Sequence, residues 1–319
     1  MLLRADGSDS LGMGHVVRSL ALAAELLHSG FEVAVWGSHV AEGKQIAKSF
    51  ADVPIENLPE PRDGSEQITD IQAFDPDLVI VDGYHFTLEF FRGLEWRGIH
   101  YGVIDDNGKP QGLQPVFLVN QNPGATSLAY KSIHPSTQLF LGLDFVLLRR
   151  EVWETVVDPS THDGSVLVAM GGADTLNLTE RVVEALVPTG ALINVVLGPA
   201  AKNREVRREK IRKAERVLDW HHSELVEAIA DSQYCVLAAG SVLWEAAALG
   251  KTVVALTVAD NQLMPAREAL SAGLVSGLLD GRSLMQCEDF GQVLRESLAR
   301  AQALTEKQEI VLGNGTRRV

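Results

Sequence analysis

Short apolar runs alternate with helix-spaced apolar positions over most of the chain. After Met1-Leu2-Leu3, apolar residues recur at Val16, Leu20, Ala23, Ala24 and Leu27, in three- and four-residue steps that predict an amphipathic helix. Glu32–Gly37 then reads as a second strand, Asp77–Asp82 as a third that is apolar on both faces, and Ile99–Asp106 as a fourth. Val116–Asn120 and Gln138–Gly142 are shorter candidates, with helices expected at Val40–Phe50 and Thr87–Arg92. Fully apolar strands separated by helices predict a parallel sheet covered on both faces.

The pattern pauses over the polar stretch Val152–Gly164, which carries Asp158-Pro159-Ser160-Thr161-His162-Asp163-Gly164. A second alternating series follows, with strands expected at Ser165–Met170, Ala191–Gly198, Arg216–Leu218, Tyr234–Ala238 and Thr252–Leu256. The expected organisation is therefore α/β, with two Rossmann-like, doubly wound domains over residues 1–157 and 158–319. Such halves are expected to face a cleft, with ligands bound beyond the carboxyl ends of the strands.

Composition narrows the functional classes. A chain of 319 residues with 46% hydrophobic and 22% charged residues suits about two globular domains. The net charge of −14 argues against a nucleic-acid partner, which would require a basic face. It also means that a phosphate ligand would have to be held by local donors, because the overall field repels it. No secretory leader or membrane-spanning stretch is expected, so the chain reads as cytoplasmic. Cys235 and Cys287 have no metal-ligand spacing, and Cys235, inside an apolar run, reads as a core thiol.

Candidate chemistry lies at the predicted strand ends. Gly12-Met13-Gly14-His15 puts an imidazole in the first turn of a helix, after a pair of glycines that permits a sharp turn. That position suits anion binding and general base chemistry, although such a pair also serves as a plain turn. Gly171-Gly172-Ala173-Asp174 follows a predicted strand and precedes the helix Thr179–Leu186. Gly240-Ser241 follows another strand; Ser241 is expected to cap the new helix, and Glu245 lies one turn along the same face. A carboxylate there suits two ribose hydroxyls, unless it is simply a solvated helical residue. Asn261-Gln262, after the strand ending near Leu256, has amides suited to sugar hydroxyls or phosphate, or to a loop and cap role. Neither a complete Gly-x-x-x-x-Gly-Lys-Ser/Thr phosphate loop nor a clear Gly-x-Gly-x-x-Gly fingerprint occurs, which disfavours ATP hydrolysis and NAD chemistry. His221-His222, in a charged stretch, reads as a surface feature rather than a metal site.

Several of these segments occur in a characteristic order. They are Arg4-x-Asp6, Gly12-x-Gly14-His15-Val16-x-Arg18, Asp82-x-Tyr84, Asp105-Asp106, Asn120-Gln121-Asn122, Leu147-Leu148-Arg149-x-Glu151, Gly171-Gly172-x-Asp174, Gly240-Ser241-x-x-Trp244-Glu245 and Asn261-Gln262. The series resembles the nucleotide-sugar hydrolases of pseudaminic acid biosynthesis, grouped with spore-coat polysaccharide proteins. The resemblance spans nearly the whole chain. It implies a GT-B fold and hydrolysis of UDP-2,4-diacetamido-2,4,6-trideoxy-β-L-altropyranose to the free sugar and UDP. It further implies that His15 is the catalytic histidine and that no metal or other cofactor is needed. The second half is also similar to the nucleotide-binding half of the peptidoglycan N-acetylglucosaminyl transferase.

With the resemblance, Asp6 and Tyr84 become candidate orienting partners for His15. Gly12, Gly14, Arg18, Asn122, Gly171, Gly172, Asp174, Gly240, Ser241, Glu245, Asn261 and Gln262 become candidate substrate-binding residues. The chain departs from the family's pattern at Gly83 and His85, which flank Tyr84, and at Pro123 after Asn122. These departures lie where the sugar is expected, so they bear on the sugar more than on the reaction. A glycosyltransferase with the same fold and a silent nucleotide-sugar binding protein are the competing classes; no basic amphipathic helix suited to a lipid surface is evident.

Overall fold

The structure, a computed structural model, describes residues 1–7, 13–37, 50, 53–57, 64–108, 112–128, 130, 133–158, 164–304 and 312–319. It divides into two compact units. The first contains the opening strand and Met13–Arg149 and takes back Gly313–Val319; the second contains Arg150–Leu312.

In the first unit the strands are β1 (Leu2–Ala5), β2 (Ala34–Gly37), β3 (Ile55–Asn57), β4 (Val79–Asp82), β5 (Tyr101–Ile104), β6 (Phe117–Asn120) and β7 (Gln138–Leu141). They form a seven-stranded sheet in the order β3-β2-β1-β4-β5-β6-β7, with every pairing parallel. Successive side chains of a strand point to opposite faces. Leu3 and Ile80 accordingly pack with Val16 and Leu20 of the helix Gly14–His28, in one buried cluster. Leu2, Val79 and Val81 pack in another, with Ile71, Phe90 and Leu94. Burial on both faces explains why these strands read as continuous apolar runs.

The order reverses between β1 and β4. Beyond the carboxyl ends of such a central pair the connections run apart and leave a crevice. Register sets Ala5 opposite Asp82, and Asp82 opposite Ile104, so the residues that follow these strands share one rim.

The second unit repeats the plan with β8 (Val166–Ala169), β9 (Ile193–Val196), β10 (Val217–Trp220), β11 (Tyr234–Ala238), β12 (Thr252–Thr257) and β13 (Gly277–Asp280). The sheet is six-stranded and parallel, in the order β10-β9-β8-β11-β12-β13. Its reversal lies between β8 and β11, so the loops Gly171-Gly172 and Gly240-Ser241 emerge side by side. Cys235 lies buried in β11.

Two strands were not anticipated: Ile55–Asn57 and Gly277–Asp280. Both are sheet edges with a single neighbour, which lets them be short and weakly patterned. The helix expected at Thr87–Arg92 runs over Leu88–Trp96, capped by the Thr87 hydroxyl accepting from the Phe90 amide. The helix expected at Val40–Phe50 lies, except for Phe50, outside the described residues. No helix among the described residues is long and apolar enough to cross a membrane.

The return of the carboxyl terminus to the first unit was not visible in the periodicity. The Gly313 amide donates to the Leu143 carbonyl at 3.0 Å, the Gly315 amide to Val146 at 3.0 Å, and Arg317 Nε to Glu25 at 3.1 Å. A Cβ on Gly315 would sit 2.1 Å from the carbonyl carbon of Phe145, so backbone meets backbone here. Gly315→Ala is expected to cost about 1–3 kcal/mol, the usual range for forced overpacking. Denaturant unfolding measures this, and an unchanged midpoint would remove the terminal segment from the fold's support.

Candidate active site

The carboxyl rim of the first sheet carries a buried polar cluster assembled from four chain segments. His15, Arg18 and Ser19 lie on one face of the helix Gly14–His28 because they are three and four residues apart. His15 is 4% exposed, and its Nδ1 lies 2.7 Å from Asp82 Oδ1 at the end of β4. Arg18 donates Nη2 to Asp82 Oδ1 at 2.6 Å and Nε to Oδ2 at 2.6 Å. The same guanidinium donates to both oxygens of Asp106, beyond β5, at 2.8 and 2.9 Å. Asp106 also accepts from the Tyr84 hydroxyl at 2.7 Å and from Asn122 Nδ2 at 3.0 Å. The Tyr84 ring meets the His15 ring edge-on, with centroids 4.5 Å apart.

These contacts assign the imidazole tautomer. Burial pushes the Asp82 carboxyl up, but the adjacent Arg18 charge and His15 outweigh it and hold it below the usual carboxylate value. An ionised carboxylate only accepts hydrogen bonds, so the proton between Asp82 and His15 belongs to Nδ1. Arg18 Nη2, 3.0 Å from the same nitrogen, is drawn there by the shared oxygen. In the neutral imidazole of that tautomer, Nε2 keeps the lone pair that a base requires.

The other members are locked in fixed charge states. Asp106 is raised by burial and lowered more strongly by the Arg18 charge, ending well below a free carboxylate. Tyr84 is pushed far up, first by burial and then by the Asp106 charge, and stays a neutral donor. Behind them, Asn120 Nδ2 donates to the Tyr130 hydroxyl at 2.8 Å, which donates to Asp105 at 2.8 Å, while Asn120 Oδ1 accepts the Asn122 amide at 3.0 Å. This braces the Asn120-Gln121-Asn122 turn under the cluster.

Sequence reasoning proposed Asp6 and Tyr84 as partners of His15. Tyr84 touches its ring, whereas Asp82 is the carboxylate that holds it. Asp6 instead pairs with Arg4, and its Oδ2 lies 2.7 Å from His85 Nε2. Arg4, Asp82 and Asp106 belong to the ordered series of motifs and His85 to its departures, but none was among the candidate site residues. Asp82, Asp106 and His85 lie at, or just beyond, the ends of strands that the pattern located, while Arg4 lies within β1. Gly12 lies outside the described residues. At Gly14 a Cβ would meet nothing within 4 Å and φ is not positive, so the turn places no demand for glycine there.

In the second unit, Gly171 has φ +78°, a conformation that favours glycine. The close approach beside it belongs to Gly198, which the sequence reading passed over. A Cβ on Gly198 would lie 2.3 Å from the carbonyl oxygens of both Gly171 and Gly172. Gly240 and Gln262, 22 residues apart in sequence, meet: a Gly240 Cβ would lie 3.9 Å from Gln262 Nε2. Gln262 Oε1 accepts the Val258 amide at 2.8 Å, and Asn261 shares its short 3-10 turn.

The expected Ser241 cap is not formed. Gly240 occupies the N-cap position of the helix Ser241–Ala248, with no side-chain hydrogen bond, and Ser241 is the first helical residue. A glycine flanking the start spares the first turn a side-chain cap, so its amide end is not occupied by the serine oxygen. Glu245 is 1% exposed, which sets aside the solvated reading of this residue. Asp174 accepts from the Leu178 and Thr179 amides and pairs with Arg207, which also binds Glu180, so its observed contacts serve the helix start.

No protein-family model matches the chain. It is 25% identical over 264 residues to an uncharacterized protein of Methanocaldococcus jannaschii, covering 79% of this chain and 54% of that one, about half its length. It is 23% identical over 266 residues to the UDP-2,4-diacetamido-2,4,6-trideoxy-beta-L-altropyranose hydrolase of Campylobacter jejuni, covering 82% and 93%. Among solved structures, MurG of Acinetobacter baumannii superposes with a TM-score of 0.60 at 15% identity, covering 99% of this chain and 97% of that one. The chain has the GT-B fold. UDP-GlcNAc 2-epimerase from Neisseria meningitidis, solved with UDP-GlcNAc, gives a TM-score of 0.62 at 15% identity, covering 99% and 97%. At such identities the structural likeness concerns the fold.

Because Asp82 and Asp106 are held below their unfolded values, the stability they contribute is complete above the unfolded carboxylate value of about 3.9 and is lost as pH falls through their lowered folded values. Asp106→Asn is expected to make acid unfolding less steep in that range, read by circular dichroism. An unchanged acid limb would remove Asp106 from the cluster.

Proposed function

We propose that the protein hydrolyses a UDP-activated, acetamido-substituted deoxy sugar to the free sugar and UDP. The observation that carries this reading is the commitment of His15 Nδ1 to Asp82, which leaves Nε2 as a base beside Tyr84. The hydrolase relative from Campylobacter jejuni supports the choice of a UDP-sugar, as does the neighbour solved with UDP-GlcNAc.

In this reading, a water oxygen bonds to the anomeric carbon while His15 Nε2 takes its proton. The bond from that carbon to the diphosphate oxygen breaks, and its electron pair leaves on UDP. The imidazolium formed on His15 is stabilised by Asp82, and the buried Arg18 keeps Asp82 ionised throughout. UDP is already a good leaving group, so placing the water and stabilising charge matter more than protonating the diphosphate. The loops Gly171-Gly172 and Gly240-Ser241 would receive the diphosphate charge on backbone amides, and Asn261-Gln262 and Glu245 would hold the nucleoside. Local dipoles of this kind work against a net charge of −14 because they act at contact distance.

Incubating the purified protein with UDP-linked acetamido sugars, without an acceptor, tests the reading. UDP plus a reducing sugar supports hydrolysis. UDP release only when an acceptor is added would indicate a transferase, and a changed sugar still linked to UDP would indicate an epimerase.

His15→Ala is expected to lower turnover by about 10²–10⁴-fold while UDP still binds, since that is the usual contribution of a general base. Asp82→Asn should lower turnover in the same direction, because an amide no longer enforces the Nδ1-protonated tautomer. Wild-type turnover in either variant would end the assignment. Glu245→Gln is expected to weaken UDP binding by about 1–3 kcal/mol, the range for a charged hydrogen bond, and calorimetry reads it directly.

A further inference from the structure

A second histidine stands on the same rim and has no part in the mechanism above. His85 follows Tyr84, and its side chain is 41% exposed, whereas the side chains of His15 and Asp82 are 4% and 1% exposed. Among the described residues of this rim, it is the titratable group that solvent reaches most readily.

The ring is nonetheless held in place. Its Nε2 lies 2.7 Å from Asp6 Oδ2, and its face tilts against Phe86 with centroids 4.1 Å apart. Phe86 in turn lies under the Arg4 guanidinium, 5.1 Å from its ring centroid, and Arg4 pairs with Asp6. At 2.7 Å from a carboxylate oxygen, Nε2 carries a proton, since two lone pairs would repel. In the neutral ring that directs Nε2–H at Asp6, Nδ1 is presented as an acceptor.

Gly83 makes this seat possible. A Cβ at position 83 would lie 2.9 Å from His85 Cε1, 3.1 Å from its Nδ1 and 3.0 Å from a ring carbon of Phe86. Any side chain there would push the imidazole off its seat. The two positions that depart from the family's pattern around Tyr84 are thus one structural feature: the glycine vacates the room that the histidine ring fills.

We propose that His85 is a specificity-determining residue of the hydrolytic site, accepting a hydrogen bond from a hydroxyl or acetamido N–H of the sugar. This rests on the reading that the rim around His15 receives a nucleotide sugar. Three features favour His85 for the task. It is exposed where Asp6, His15 and Asp82 are buried, it is pre-oriented and so loses little freedom on binding, and it adjoins the tyrosine whose ring touches the base. The expected ligand class is a hexose bearing a donor group at the ring edge that faces the Tyr84 loop.

Calorimetry on the full chain tests this with UDP, a UDP-2-acetamidohexose and a UDP-2,4-diacetamidotrideoxyhexose. All variants carry His15→Ala as background, so that substrate is not consumed. The ratio of the UDP dissociation constant to that of each UDP-sugar measures the sugar's contribution. His85→Phe keeps the aromatic stack and removes the nitrogens. It should lower that ratio for at least one sugar by about three- to tenfold, the worth of one hydrogen bond, and leave UDP affinity unchanged. Gly83→Ala should act the same way by displacing the ring. His85→Asn, whose Oδ1 takes the place of Nδ1, should retain part of the contribution.

A His85→Phe variant that keeps both the ratio and the ranking of the sugars overturns the proposal. So does a background protein that binds no UDP-sugar better than UDP. Failure of the hydrolytic reading is seen separately, as absent UDP release by the wild-type chain, and leaves the binding ratio measurable.

Discussion

The rest of the first unit's chemistry depends on one buried cation. Arg18 spans Asp82 and Asp106, neutralises part of their charge, and allows both to stay ionised away from water. Removing a partner from a buried pair of this kind is far more costly than forming it is profitable, so the arrangement acts mainly as a constraint on geometry. With Asp82 ionised and oriented, the His15 tautomer follows. With Asp106 ionised, Tyr84 is a donor and its ring is fixed against the imidazole. Each group that could react is thereby held by one that cannot change its charge.

Both units place their distinctive residues at the same topological position. In each sheet the strand order reverses beside the first strand of the unit, between β1 and β4 in one and between β8 and β11 in the other. The loops that leave such a pair diverge, which opens room above the sheet while the backbone beneath stays rigid. The first unit fills this rim with charged side chains, and the second with glycines, amides and a helix start. Acid–base chemistry needs titratable groups held in hydrophobic support. In the second unit the backbone at Gly198 packs directly against the carbonyls of Gly171 and Gly172, which only a glycine allows.

Much of this was legible in the chain. The interior strands stood out because burial on both faces leaves no polar alternation, and His15 stood out because it starts a strongly periodic helix. The edge strands Ile55–Asn57 and Gly277–Asp280 did not, since one neighbour suffices to hold them and little apolar patterning is required. The Ser241 cap was expected from residue type, but a cap also depends on where the helix begins, and that shift of one residue moved the role to Gly240. Glu245 could be read as either solvated or buried from its apolar neighbours, and packing of its helix decided for burial.

The sequence by itself determined the two alternating series, the parallel character of their sheets and the presence of reactive residues at strand ends. Those properties depend on local periodicity and on residue chemistry. Only the tertiary structure decided which of those residues meet. His15 pairs with Asp82, 67 positions away, while the much nearer Asp6 turns to His85. Periodicity reports which face of an element is apolar and is silent on which strands become neighbours. That choice is made when β4 crosses over to pair beside β1, and it brings Asp82 to the helix that carries His15 and Arg18.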